Sequence, residues 1–86
     1  NARSRAKEFL AHPQSRSKLI VQLLDAETGI EIQTRLDAFF YYLVALLRKN
    51  TIKNSDSLRA VINKITDINR FQTNKKLQLE ALARIL

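Results

Sequence analysis

Side chains able to do acid–base, nucleophilic or metal chemistry are few in this 86-residue chain. It has no Cys, and its one His, His12, stands beside Pro13. That excludes a thiolate nucleophile, a disulfide framework and cysteine-ligated zinc, and it leaves no second imidazole to share a metal. His12 reads as a surface residue in a turn. Asp25, Glu27 and Glu31 gather around a second turn, where three carboxylates could hold a divalent cation. They lack the alternating oxygen-ligand pattern of a calcium loop and read instead as solvated helix ends. Glu31 and Arg35, spaced i,i+4, read as an exposed pair worth about 0.3–0.5 kcal/mol. A phosphate-cradling loop needs several glycines and a following Lys, whereas Gly29 is the single Gly of the chain. No catalytic residue, metal, cofactor or small-molecule substrate is therefore expected, and the segment is not expected to be an enzyme.

Charge points elsewhere. Fifteen Lys/Arg against eight Asp/Glu give a net charge of +7. Residues 1–43 carry net +1 and residues 44–86 carry net +6. A basic half raises the expectation of a polyanionic partner, because neutralising phosphates releases counterions. The basic residues are dispersed rather than run together, which fits a solvated surface. The longest apolar run, Ala38 to Leu47, has ten residues, about half of what spans a bilayer, so no membrane partner is expected. No signal-peptide pattern opens the chain. A reducing, cytoplasmic setting is expected of a chain with no Cys. With Asn first and no Met anywhere, the 86 residues are expected to be a single domain excised from a larger polypeptide.

The elements that position these residues are helical. One Pro and one Gly are too few for a turn-rich β fold, and apolar residues recur at helical spacing throughout. An all-α, five-helix bundle is predicted. Ala2, Ala6, Phe9 and Leu10 stripe a first helix over 2–11, which Pro13 ends. Ser15 or Ser17 is placed to cap a second helix running to about Asp25, with Ile20, Leu23 and Leu24 inward and Leu19 and Val21 on its flanks. Gly29 suits the left-handed position after a helix end. The third helix, about 30–49, has Ile32, Leu36, Phe39, Phe40, Leu43 and Leu47 on one side and Ala38, Tyr41, Tyr42 and Ala45 on the other. Residues 50–54 read as a polar link, followed by a Ser55 or Asp56 cap and a stripe of Leu58, Val61, Ile62, Ile65 and Ile68. Asn74 is predicted to cap a last helix over 75–86. There Leu79, Leu82, Ala83 and Leu86 face one way and Leu77, Ala81 and Ile85 the other.

The tail, Asn69-Arg70, a short polar gap, then Asn74-Lys-Lys-Leu77-Gln-Leu79-Glu80-Ala-Leu82, resembles the C-terminal end of bacterial DNA polymerase III clamp-loader subunits of the delta-prime or gamma/tau kind. Leu36 to Leu47, Leu58 to Ile68 and the early Ala6-x-x-Phe9-Leu10 follow the same pattern, so a weaker resemblance covers nearly the whole chain. It implies a helical collar domain that joins sibling subunits into a ring and holds ATPase modules for loading the sliding clamp during DNA replication. Those modules' phosphate-binding and arginine-finger residues belong to preceding domains, so none is carried over. Asn74 fits as an N-cap, and Glu80 is expected near the positive end of its helix.

The two-faced third and fifth helices carry more apolar surface than one packing contact uses. Tyr41, Tyr42, Ala45, Leu77, Ala81 and Ile85 are accordingly the candidate subunit-interface residues, with other clamp-loader subunits as partners. The alternative is a stand-alone nucleic-acid-binding domain using Arg59, Lys64, Arg70, Lys75 and Lys76. Arg59 and Arg70 share a side of their helix and Lys64 lies away from them, so weak DNA contact is the most that this set implies.

Overall fold

The computed structural model describes residues 1–71 and 75–86, with side chains described outside 69–71. Its elements are α1 (Ala2–Ala11), a 3-10 turn (Pro13–Ser15), α2 (Arg16–Leu24), α3 (Gly29–Arg48), α4 (Thr51–Phe71) and α5 (Lys75–Ile85). The fold is an all-α, five-helix bundle, with no strand among the described residues. α1 packs on α3, α3 on α4, α4 on α5, and α5 on α2.

Local chemistry sets most helix ends. Asn1 Oδ1 accepts from the Ser4 N–H at 2.9 Å and starts α1. Pro13 stops it, and the His12 N–H turns back to the Glu8 carbonyl at 2.8 Å. Neither expected serine caps α2. Ser15 has near-helical backbone angles and makes no side-chain cap bond, because the Pro13–Ser15 turn runs directly into α2; Ser17 lies inside the helix. Gly29 is also not the left-handed terminator expected of it. Thr28 caps α3 from an extended conformation, its Oγ1 accepting from the Glu31 N–H at 3.1 Å, and Gly29 becomes the first helical residue. Thr28-x-x-Glu31 is the capping-box spacing, which outweighs the lone glycine.

The 50–54 link is shorter than expected. Asn50 Oδ1 accepts from the Lys53 N–H at 3.1 Å, so α4 begins at Thr51 and is broken only at Asn54, whose φ/ψ is −104°/15°. Asn54 Nδ2 donates to the Leu47 carbonyl at 3.1 Å, tying this bend to the end of α3. Ser55 and Asp56 therefore lie within α4 instead of capping it. Asn74, the expected cap of α5, lies outside the described residues.

The core follows the predicted wheel of α3: Leu36, Phe39, Phe40, Leu43 and Leu47 are buried and Ile32 is half-buried. Phe9 meets Phe39 edge-on, with centroids 5.3 Å apart and planes at 80°, and Phe39 abuts Phe40 at 5.5 Å. On α4, Leu58, Val61 and Ile68 are buried but Ile62 is 47% exposed. The five predicted positions cover an arc of about 120° at 100° per residue, and Ile62 sits at its outer edge. Leu79 and Leu82 of α5 close the core.

Candidate interaction surface

α3 carries a continuous core stripe and, on its other side, an exposed stripe nearly as long. Ile30, Thr34, Asp37, Tyr41, Ala45 and Arg48 are exposed turn after turn, and Ala38 is half-buried among them. Tyr41 is 70% exposed and touches Tyr42 edge-on, with centroids 5.3 Å apart and planes at 86°. Tyr41 forms a ridge between two clefts. The first, about 530 Å³, has Phe40, Val44, Ala45 and Ile65 as apolar walls, with Asp37 and Arg48 also lining it. The second, about 280 Å³, brings Tyr41, Tyr42 and Ala45 together with Leu46, Lys49 and Arg3 of α1. Tyr41, Tyr42 and Ala45 thus form one surface bordered by α1 and α4.

The α5 candidates lie apart from it. Leu77 and Ile85 are exposed and Ala81 is half-buried, on a helix that packs against α2 and α4. They line neither α3 cleft. Of the basic candidates, Arg59 is exposed on α4 while Lys64 is half-buried and donates to Gln78 Oε1 at 2.9 Å, joining α4 to α5. Lys75 is half-buried and Lys76 exposed. The Arg70 side chain lies outside the described ones. Arg59 and Lys64 are not brought to a common face, because five residues along a helix turn the side chain by about 140°.

Arg16 has the most specific polar surroundings, and it is absent from the sequence-derived candidates. Only 7% of its surface is exposed. Its Nε donates to the Phe9 carbonyl at 2.6 Å and its Nη1 to the Ala83 carbonyl at 2.8 Å, while the guanidinium lies 5.1 Å from the Phe9 ring centroid. Phe9 and Ala83 fall in the last turns of α1 and α5, whose carbonyls lack intrahelical donors. One side chain therefore caps two helix ends from a third helix. Burial pulls its pKa below the ordinary arginine value. The signal was present in the spacing: Arg16, Leu19, Ile20 and Leu23 repeat at i, i+3, i+4 and i+7, which puts Arg16 on the inward stripe.

Arg35 does comparable work at α2, donating from Nη1 to the carbonyls of Gln22 (3.1 Å) and Asp25 (2.5 Å). These acceptors at the negative end of a helix take the guanidinium, in place of the pair with Glu31 expected from spacing. Glu80 is the sixth residue of α5, past the first turn where a carboxylate favours the helix dipole. It lines a polar cleft of about 410 Å³ with Arg16 and Arg84. Among the described residues no group of three or more His, Cys, Asp or Glu could hold a metal ion, and no helix is long and apolar enough to cross a membrane.

Compared with family models, curated proteins and solved structures, the chain matches none.

Proposed function

We propose that this chain is a subunit-association domain of the DNA polymerase III clamp-loader collar type, holding ATPase modules in a ring through the outward faces of α3 and α5. The observation that carries the reading is the exposure of Tyr41, Tyr42 and Ala45 on the outward side of a 20-residue helix whose other side already fills the core. Aromatic side chains of this kind are enriched in the buried centres of protein interfaces. The Asn74 to Leu82 pattern supplies the clamp-loader part of the proposal. Lys64, engaged with Gln78, and Asp37 in the α3 cleft weigh against a continuous phosphate-binding face.

The test is reconstitution. The chain is mixed with purified gamma/tau-type and delta clamp-loader subunits and followed by light scattering after size exclusion. A stable complex that Tyr41→Glu and Ile85→Glu each weaken, with the helical circular dichroism signal retained, is the expected result. A wild-type chain that elutes apart from every sibling subunit overturns the proposal.

A further inference from the structure

With Arg35 drawn aside to the Gln22 and Asp25 carbonyls at the end of α2, the remaining charge on the outward side of α3 is separated by sign. Glu31 and Asp37 occupy its first half, Arg48 and the following Lys49 its end, and all four are exposed. Arg3 of α1 lines the second cleft with Lys49 and adds to the basic end. Between the two ends stand Tyr41, Val44 and Ala45, which line the larger apolar cleft with Asp37 and Arg48. Asp37 accepts from Gln33 Nε2 at 2.8 Å on Oδ1, a bond that leaves a carboxylate further acceptor capacity.

Such a face is complementary to itself when reversed. Asp37 and Arg48 are eleven residues apart, about 16 Å along the helix, and their midpoint falls between Tyr42 and Leu43. A two-fold axis through that midpoint, perpendicular to α3, lays a second α3 antiparallel on the first. Asp37 then meets Arg48 of the second copy, Arg48 meets its Asp37, and each Tyr41 ridge falls opposite Val44 beside the other copy's cleft. Ala38 and Ala45 keep the helices able to approach closely, and the two helix dipoles oppose. A parallel arrangement would instead set Asp37 on Asp37 and Arg48 on Arg48. A polyanion would meet Asp37 and Glu31 as repulsion. From this self-complementarity we infer that the chain forms an isologous homodimer through antiparallel packing of two α3 helices, as closed two-fold interfaces require. The inference uses the same exposed face as the proposed association role but none of its clamp-loader partners.

Sedimentation equilibrium on the chain alone reads the outcome. At about 100 μM, well above a micromolar dissociation constant, the wild type is expected at twice the 9.9 kDa chain mass. Asp37→Arg and Arg48→Asp each place like charges across the axis and are expected to weaken the dimer by about tenfold or more. Mixed one to one, the two variants restore opposite charges at both ends, so a heterodimer should form more tightly than either variant alone. Circular dichroism checks that both exposed substitutions leave the fold intact. A monomeric wild type, or a mixture no tighter than its components, overturns the homodimer. A homodimer would compete with sibling subunits for this face, and the sibling-subunit mixture tests the clamp-loader proposal as a separate experiment.

Discussion

Replacing Arg16 by methionine keeps most of the side chain's length and removes every donor, leaving the Phe9 and Ala83 carbonyls without the guanidinium that caps them. Hydrogen bonds from a charged group contribute about 1.5–3 kcal/mol each, so the two are worth about 3–6 kcal/mol before opposing costs. Burial opposes them: the lowered pKa of Arg16 reflects desolvation of the charged form, and methionine escapes that penalty. The contact with the Phe9 ring adds about 0.5–2 kcal/mol in favour of arginine. The net loss is about 2–4 kcal/mol, against a total stability of about 4–13 kcal/mol for a domain of this length. Urea denaturation followed by circular dichroism reads the loss directly, and it corresponds to a fall in Tm of about 10–25 °C. Arg16→Lys separates geometry from charge. A single ammonium cannot reproduce the fork that reaches two carbonyls on different helices, so lysine should recover less than half of the loss. A change below about 0.5 kcal/mol for methionine, or full recovery by lysine, refutes the reasoning from buried helix-end capping.

Phe39→Ala, at a fully buried ring packed edge-on against Phe9, should cost about 3–5 kcal/mol in the same denaturation assay. Ile62→Glu should change stability by less than about 0.5 kcal/mol, whereas Ile65→Glu, half-buried and facing the α3 cleft, should cost more than about 1.5 kcal/mol; equal effects would reverse the orientation of α4. Tyr41→Glu and Ile85→Glu, at exposed positions, should leave the Tm of the chain, measured at a dilution where it is monomeric, within about 3 °C of wild type, and a larger fall would make these faces part of the core. Fluorescence titration with duplex DNA should find weak binding that declines linearly in log affinity against log salt; tight, site-selective binding at physiological salt would favour a nucleic-acid-binding domain.

Periodicity carried the fold because apolar burial is what orders these helices. The α3 stripe from Leu36 to Leu47 and the α5 pair Leu79 and Leu82 are where the wheel puts them. Misplaced features came from competition between neighbouring caps. Thr28 outcompeted Gly29, and Asn50 outcompeted Ser55 and Asp56, because each side chain accepts from a free N–H three residues further on and so starts its helix before the expected position. Ile62 was misjudged because a wheel gives direction but not how wide a sector the neighbouring helices cover. Tyr41, Tyr42 and Ala45 were legible as outward residues from their angle alone, but the clefts beside them depend on Ile65 of α4 and Arg3 of α1. No local pattern could connect those positions. Arg16 was concealed by its type: an arginine after a proline reads as surface until its place on the Leu19–Leu23 stripe is considered.

The two short helices at the start of the chain explain why a buried arginine is tolerated at all. α1 has 10 residues and α2 has 9, below the length at which an isolated helix holds in water, so both depend on tertiary anchors. α1 has a strong one in Phe9 against Phe39, but Pro13, four residues after Phe9, has no N–H for the Phe9 carbonyl, and no glycine closes the turn. Arg16 supplies the missing donor and with the same group holds the end of α5, which is 67 residues away in sequence. α3 needs no such device. Its Thr28 cap, its 20-residue length and its filled inner stripe stabilise it from within. Side chains on its outer stripe therefore have little share in folding, and a loss of association on substituting Tyr41 or Asp37 can be assigned to the surface itself.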